Sequence, residues 1–263
     1  MRDFTLHTYQ QLLSVLKKAG YKLTTLEDYV TQAPTGKVCI LRHDVDARPR
    51  MSATMAHMEQ ENGVRATYFF RAPEMYGRVD PADSIRDVVK AGHELGYHYE
   101  DHSLAQGDDK EARELFEEHL AYLRQFYPVR TIAAHGSPRS AFDNKDLWDF
   151  YDYKQDGIIC EPYIDLDYHA VLYLTDTGRR WDGFKMAVRD KIPFALADWA
   201  QRGWIFHSTN QIIEAARKGL LPDQLLLSTH PQRWTNNPWL WWHELMWQNI
   251  KNYIKKAFYM RKK

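Results

Sequence analysis

Two hydrophobic periods alternate along residues 38–161, and that alternation limits the chain to a narrow set of folds. Short apolar runs read as buried strands at 38–42, 66–70, 94–98, 131–135 and 157–161. Between them, apolar residues recurring every three or four positions predict helices over about 50–62, 82–91, 109–126 and 143–154. Consecutive strands can run parallel only through a crossover long enough to hold a helix. The pattern therefore predicts an α/β chain with a parallel sheet closed or nearly closed into a barrel. Ahead of it, Tyr9 to Ala19 has helical spacing, with Thr8 as N-cap and Gly20 as stop. Residues 162–204 are less regular, and Pro162, Gly178, Gly183 and Pro193 divide them into strands plus a long loop beside a cleft. Such barrels commonly use about 250 residues as one domain. The 263 residues are accordingly read as a single domain, 1–263, with its core at about 36–235.

Residues that carry chemistry fall at the C-terminal ends of these strands, where barrel enzymes hold their reacting groups. Leu41-Arg-His-Asp44-Val-Asp46 closes the first strand. An Asp-x-Asp on extended chain directs both carboxylates to one face, so one can bind a metal while its neighbour takes a proton. Further on, His98-Tyr-Glu-Asp-His102 sets two imidazoles about one helical turn apart, a spacing that lets both face one point. Two imidazoles with a carboxylate form a donor set for a divalent cation, and a catalytic site adds an open position for water. Leu225-Leu-Leu-Ser-Thr-His230-Pro231 is a third apolar strand, ending in a histidine before a helix-breaking proline.

In order and local sequence, Leu41-Arg-His-Asp44-Val-Asp46, Gly92-His-Glu-Leu-Gly-Tyr-His98-Tyr-Glu-Asp-His102 and Leu226-Leu-Ser-Thr-His230-Pro231 resemble the NodB-like polysaccharide deacetylases, in their branch with Asp-x-Asp in the first motif. The resemblance spans roughly residues 36–235. It implies a distorted (β/α)7-type barrel, here with N-terminal and C-terminal helical extensions, and metal-assisted removal of acetyl from an N-acetylated sugar or glycan precursor in bacterial surface polysaccharide biosynthesis. It makes Asp46, His98 and His102 the implied metal ligands, Asp44 the general base and His230 the general acid. Zinc suits two histidines and a carboxylate. The same scaffold also admits a hydrolase of another amide or cyclic imide, or a sugar-binding protein without turnover. The third motif departs from the family, which places an arginine before a proline; here Ala133-Ala-His135-Gly-Ser-Pro138-Arg139 offers a histidine. Candidates for the cation that orients the base are Arg139, Arg42 and the pair Arg179-Arg180. Asp176 reads either as the partner that fixes a catalytic side chain or as an Asx-turn acceptor. His135 reads either as a pocket-lining group or as a histidine hydrogen-bonded inside the rim.

Plainer readings apply elsewhere. His43 points away from Asp44 on a strand and is expected to be packed, His93 to sit near a helix C-terminus, and His207 to precede a helix capped by Ser208, Thr209 or Asn210. Glu100 and Asp101, between the two histidines, read either as groups that raise ligand basicity or as groups facing water, and water is the expectation. Lys+Arg and Asp+Glu both total 35, so no basic field favours nucleic acid. Cys39 and Cys160 read as core residues rather than a disulfide. No signal-like N-terminus or long apolar run is visible, and the expected location is cytoplasmic. The tryptophans around Trp234-Thr-Asn-Asn-Pro238-Trp239-Leu-Trp241-Trp242 are expected in core packing. Stacking on a sugar is the alternative for them; the basic C-terminal helix is expected as a solvated helix end, with peripheral membrane contact as its alternative.

Overall fold

The computed structural model describes residues 2–181, 189 and 191–254, so Gly183 and the basic residues after Ile254 lie outside the described chain. Its elements in order are α1 (Leu6–Lys18), β1 (Lys22–Thr24), α2 (Leu26–Gln32), β2 (Val38–Val45), α3 (Arg50–Glu61), β3 (Thr67–Phe70), α4 (Ala82–Lys90), β4 (Glu94–Tyr99), α5 (Asp101–Leu104), α6 (Asp109–Arg124), β5 (Ile132–Ala134), α7 (Pro162–Asp165), β6 (Leu172–Thr175), α8 (Leu196–Gln201), α9 (Thr209–Arg217), β7 (Gln224–Thr229) and α10 (Pro238–Ile254). They form two compact units that interleave in sequence. One holds Thr24–Pro34 and Leu41–Leu166, the other Met1–Leu23, Thr35–Ile40 and Asp167–Lys263.

In the unit that contains Leu41–Leu166, β2, β3, β4 and β5 pair in succession and in parallel, with Asp44 opposite Phe69, Phe69 opposite Gly96 and His98 opposite Ala133. Every residue of β2, β3 and β4 is buried, as a parallel sheet covered on both faces requires. Helices α3, α4 and α6 fill the crossovers, in line with the α/β class predicted from the alternation. The predicted start of α6 is explained by Asp108, whose Oδ1 accepts from Glu111 N at 2.9 Å, with Asp109 and Glu111 in the first turn and Arg124 in the last. The predicted helix over 143–154 is instead two 3-10 turns, Asn144–Asp149 and Tyr153–Asp156. There the Asp143 and Asp152 side chains accept from Lys145 N and Lys154 N, local bonds that compete with a continuous helix. The predicted strand at 157–161 reduces to a single parallel bridge between Thr131 and Cys160.

In the other unit β6 and β7 are parallel, Leu172 opposite Leu225 and Thr175 opposite Ser228, and Val38 N donates to Asp223 O at 2.7 Å. α1 packs against α9, which Ser208 caps. α1 begins at Leu6 rather than Tyr9, because Thr5 is extended and its Oγ1 accepts from Thr8 N at 3.1 Å. Thr8, expected as the cap, therefore lies inside the first turn. Gly20, at φ 92°, follows the helix as predicted. Cys39 and Cys160 are free and buried. Trp234 is buried in agreement with core packing, but Trp239 and Trp242 of α10 are exposed, contrary to that expectation, as is Trp247 further along the helix. The cause is the face by which α10 docks: Glu244 and Gln248 point inward.

Candidate metal centre

The period of two along β2 sorts its side chains. Arg42 and Asp44 share a face, and the guanidinium clamps the carboxylate with two bonds, Nε to Oδ1 at 2.7 Å and Nη2 to Oδ2 at 2.9 Å. Both residues are buried, and the guanidinium lies 5.4 Å from the ring centre of Phe69 and 4.9 Å from that of Tyr163. Phe69 has room because its register neighbour is Gly96: a Cβ there would overlap the Phe69 ring and stand 3.1 Å from Thr131 O. His43 faces the other way, with Nε2 2.9 Å from Glu59 Oε1 of α3, the packed role expected of it. His93 is equally structural, accepting from Ala66 N and donating from Nε2 to Ala56 O.

The ends of β2, β4 and β5 bring Asp46, His98 and His135 together. Asp46 follows β2, His98 lies in β4 and His135 follows β5, and one ligand atom from each lies within 4.8 Å of the others. His98 Nε2 stands 3.4 Å and His135 Nε2 3.8 Å from Asp46 Oδ1. Ligand atoms 2.0–2.2 Å from a tetrahedral zinc are roughly 3.3–3.6 Å apart, so this donor set fits a small divalent cation. The tautomers fit as well. His98 Nδ1 donates to Ala133 O at 2.8 Å and His135 Nδ1 donates to Glu100 Oε2 at 3.0 Å, which leaves a lone pair on each Nε2. Burial opposes a charged His98, but Asp44 and Asp46 outweigh it and hold its pKa above the ordinary value; the same negative field attracts a cation.

Glu100 supports this arrangement from behind. It pairs with Arg71, whose Nη1 also donates to Asp46 O at 3.1 Å. Tyr76 Oη donates to Val45 O at 2.5 Å and accepts from Arg71 N at 3.0 Å, joining the segments that follow β2 and β3. Burial would raise the Glu100 pKa, yet His135 and Arg71 bring it down to about 2. The expectation that Glu100 and Asp101 face water is therefore corrected. Both are buried, and Asp101 accepts from Tyr97 Oη and His119 Nδ1, each at 2.7 Å.

His102, the implied third ligand, is not part of the group that the described residues form, whose second histidine is His135. The reason is local. His98 belongs to a strand and His102 to the first turn of α5, with the chain turning at Glu100 (φ −144°, ψ 23°), so the two do not share one helical face. His102 Nδ1 donates to Asp143 O at 2.9 Å, and its Nε2 stands 3.2 Å from Asp109 Oδ1. Among the candidates for the orienting cation, Arg42 holds Asp44, whereas Arg139 and Arg180 are exposed.

His230 and Asp176 meet in the other unit. Asp176 Oδ1 accepts from His230 Nδ1 at 2.6 Å and from Arg233 at 2.5 Å, while its Oδ2 accepts from His230 N at 3.1 Å and Trp234 Nε1 at 2.7 Å. The Asp176 side chain thus fixes the ring of His230 by Nδ1. Burial opposes its charge, but Arg233 and His230 bring its pKa down to about 2.

Solved structures that match most of the chain include carbohydrate esterase family 4 proteins. A family 4 esterase from Streptococcus mutans is 14% identical at a TM-score of 0.45, with 90% of each chain covered. A peptidoglycan deacetylase from Bacillus subtilis is 14% identical at 0.39, covering 86% of this chain and 98% of its own. A family 4 pseudoenzyme from Bacillus anthracis is 12% identical at 0.43; 84% of this chain covers 62% of that longer one. No family model and no curated protein matches the sequence.

Of the two supporting residues, Arg71 was not legible in the sequence and Glu100 was legible only as one of two readings. Arg71 has no motif around it. Glu100 sits between the histidines, and only the turn in the chain shows that it faces His135 rather than solvent.

Proposed function

We propose that this chain is a metal-dependent hydrolase that removes acetyl from an acetamido group on an N-acetylated sugar or glycan precursor, in the building of a surface polysaccharide. The observation that carries the reading is the Asp46–His98–His135 group on the same strand ends as an Asp44 clamped by Arg42. Zinc is the cation this donor set suits, and when bound it would polarise the amide carbonyl and acidify a water. Asp44, held still by Arg42, takes the proton from the attacking water. Ala133 O and Glu100 accept from Nδ1 of His98 and His135, which turns each Nε2 toward Asp46. The departing sugar nitrogen needs a proton, and the motif resemblance assigns that role to His230, held in its own unit by Asp176. Acetate and an amine result.

The test is metal content together with acetate release from a panel of N-acetylated nucleotide sugars and short glycans. Wild type is expected to bind one divalent cation and release acetate. Asp44→Asn should keep the cation and lose activity by orders of magnitude, and His135→Ala should lose both. Full activity in either variant, or bound metal with no acetate from any substrate, would refute the reading.

A further inference from the structure

α10 is packed with its polarity reversed. Trp239, Trp242, Met246, Ile250 and Tyr253 recur at steps of three and four, so they form one stripe along the helix, and all five are exposed, Trp239 at 85% and Tyr253 at 75%. Leu240 and Trp247, also exposed, widen the stripe on one side. The opposite face is polar and is the one that docks. Glu244 and Gln248 are buried, Asn252 Nδ2 donates to Gly178 O at 3.0 Å, and Trp241 Nε1 donates to Asp3 O at 2.7 Å. Arg179 completes the seat, with its guanidinium 4.7 Å from the Trp241 ring centre and Nη1 donating to Trp241 O at 3.2 Å. The helix is therefore already held by its polar side, while its apolar stripe is left exposed.

We infer that the outward face of α10 docks on an anionic lipid surface, lying along it. Charge selects this occupant. The only acidic residue of the helix, Glu244, is buried, so its exposed surface carries no carboxylate, whereas Lys251 is exposed on it. In sequence the chain continues with Lys255, Lys256, Arg261, Lys262 and Lys263 and no acid, although the protein as a whole has no net charge. A second copy of the helix would bring more cations and no exposed carboxylate, whereas anionic headgroups answer both the cations and the apolar stripe. Tryptophan and tyrosine are the side chains that combine apolar area with a polar edge suited to the headgroup boundary. No helix among the described residues is long and apolar enough to cross a membrane, which agrees with a helix lying in the interface. The inference rests on one unit alone and is independent of the proposed reaction.

Co-sedimentation of the full chain with phosphatidylcholine vesicles, with and without phosphatidylglycerol, tests it. Binding to the anionic vesicles should exceed binding to neutral ones by roughly tenfold or more and weaken as salt shortens the screening length from about 10 Å at 0.1 M to about 3 Å at 1 M. Replacing Trp239, Trp242 and Trp247 together by alanine should lower it by roughly tenfold or more while leaving the far-UV circular dichroism unchanged, because all three are exposed. Wild-type protein left in the supernatant, or an unaffected triple variant, would overturn the inference. So would a dimer in light scattering that the triple substitution dissolves without any vesicle binding.

Discussion

Arg42→Gln is the substitution that most directly probes the base. Asp44 accepts from Arg42 at 2.7 and 2.9 Å in a position only 2% exposed, so removing the guanidinium strands a buried carboxylate without its bidentate partner. Truncating one partner of a buried pair costs about 3–5 kcal/mol. The glutamine amide can restore one hydrogen bond worth about 1 kcal/mol, which leaves an expected loss of about 2–4 kcal/mol in unfolding free energy. At about 2–4 °C per kcal/mol for a chain of this size, Tm should fall by roughly 4–16 °C. Urea and thermal denaturation measure both quantities. Combining Arg42→Gln with Asp44→Asn should cost less than the sum of the single changes by about 1 kcal/mol or more, because the second change removes the stranded charge. Arg42 is not itself a candidate ligand, so metal content should survive while acetate release falls. A loss below about 0.5 kcal/mol, or strictly additive singles, would refute the claim that this pair is a buried, mutually dependent clamp.

The other expectations follow from neighbouring contacts. Glu100→Gln removes the charge behind His135 and should weaken zinc binding by about 10–100-fold in competition dialysis; an unchanged Kd would show that Glu100 does not support the site. Asp176 has its pKa lowered from 3.8 to about 2 in the fold, so its stabilisation, on the order of 2 kcal/mol, is present above its unfolded pKa and disappears as pH falls from about 4 to 2. Asp176→Asn should accordingly be less stable than wild type at pH 7 and show a flatter acid limb in urea titrations; parallel limbs would contradict the argument. Gly96→Ala forces a methyl into the Phe69 ring and should cost about 1–3 kcal/mol, partly recovered by adding Phe69→Leu. A neutral Gly96→Ala would show that Phe69 moves aside freely.

Local periodicity settled much of this protein in advance. Apolar runs and helical repeats place β2, β3, β4, β5 and β7 and helices α3, α4 and α6 close to their observed bounds, because each element depends on residues a few positions apart. For the same reason Asp44, Asp46, His98 and His230 could be placed at strand ends from the sequence. The period of two along β2 even put Arg42 and Asp44 on one face, although it could not choose Arg42 over Arg139 or Arg180. Where the chain changes element, spacing stopped being informative. A four-residue step from His98 crosses from β4 into α5, so His102 leaves the group, and His135 enters it only because β5 pairs beside β4 in the register that sets Ala133 opposite His98. Likewise, nothing along residues 238–254 says which side of α10 faces the protein; that was decided by Asp3, Gly178 and Arg179, residues far away in the chain. A ligand sphere and a docked face are made by neighbours that sheet register and packing bring together, and distance along the chain carries no record of that pairing.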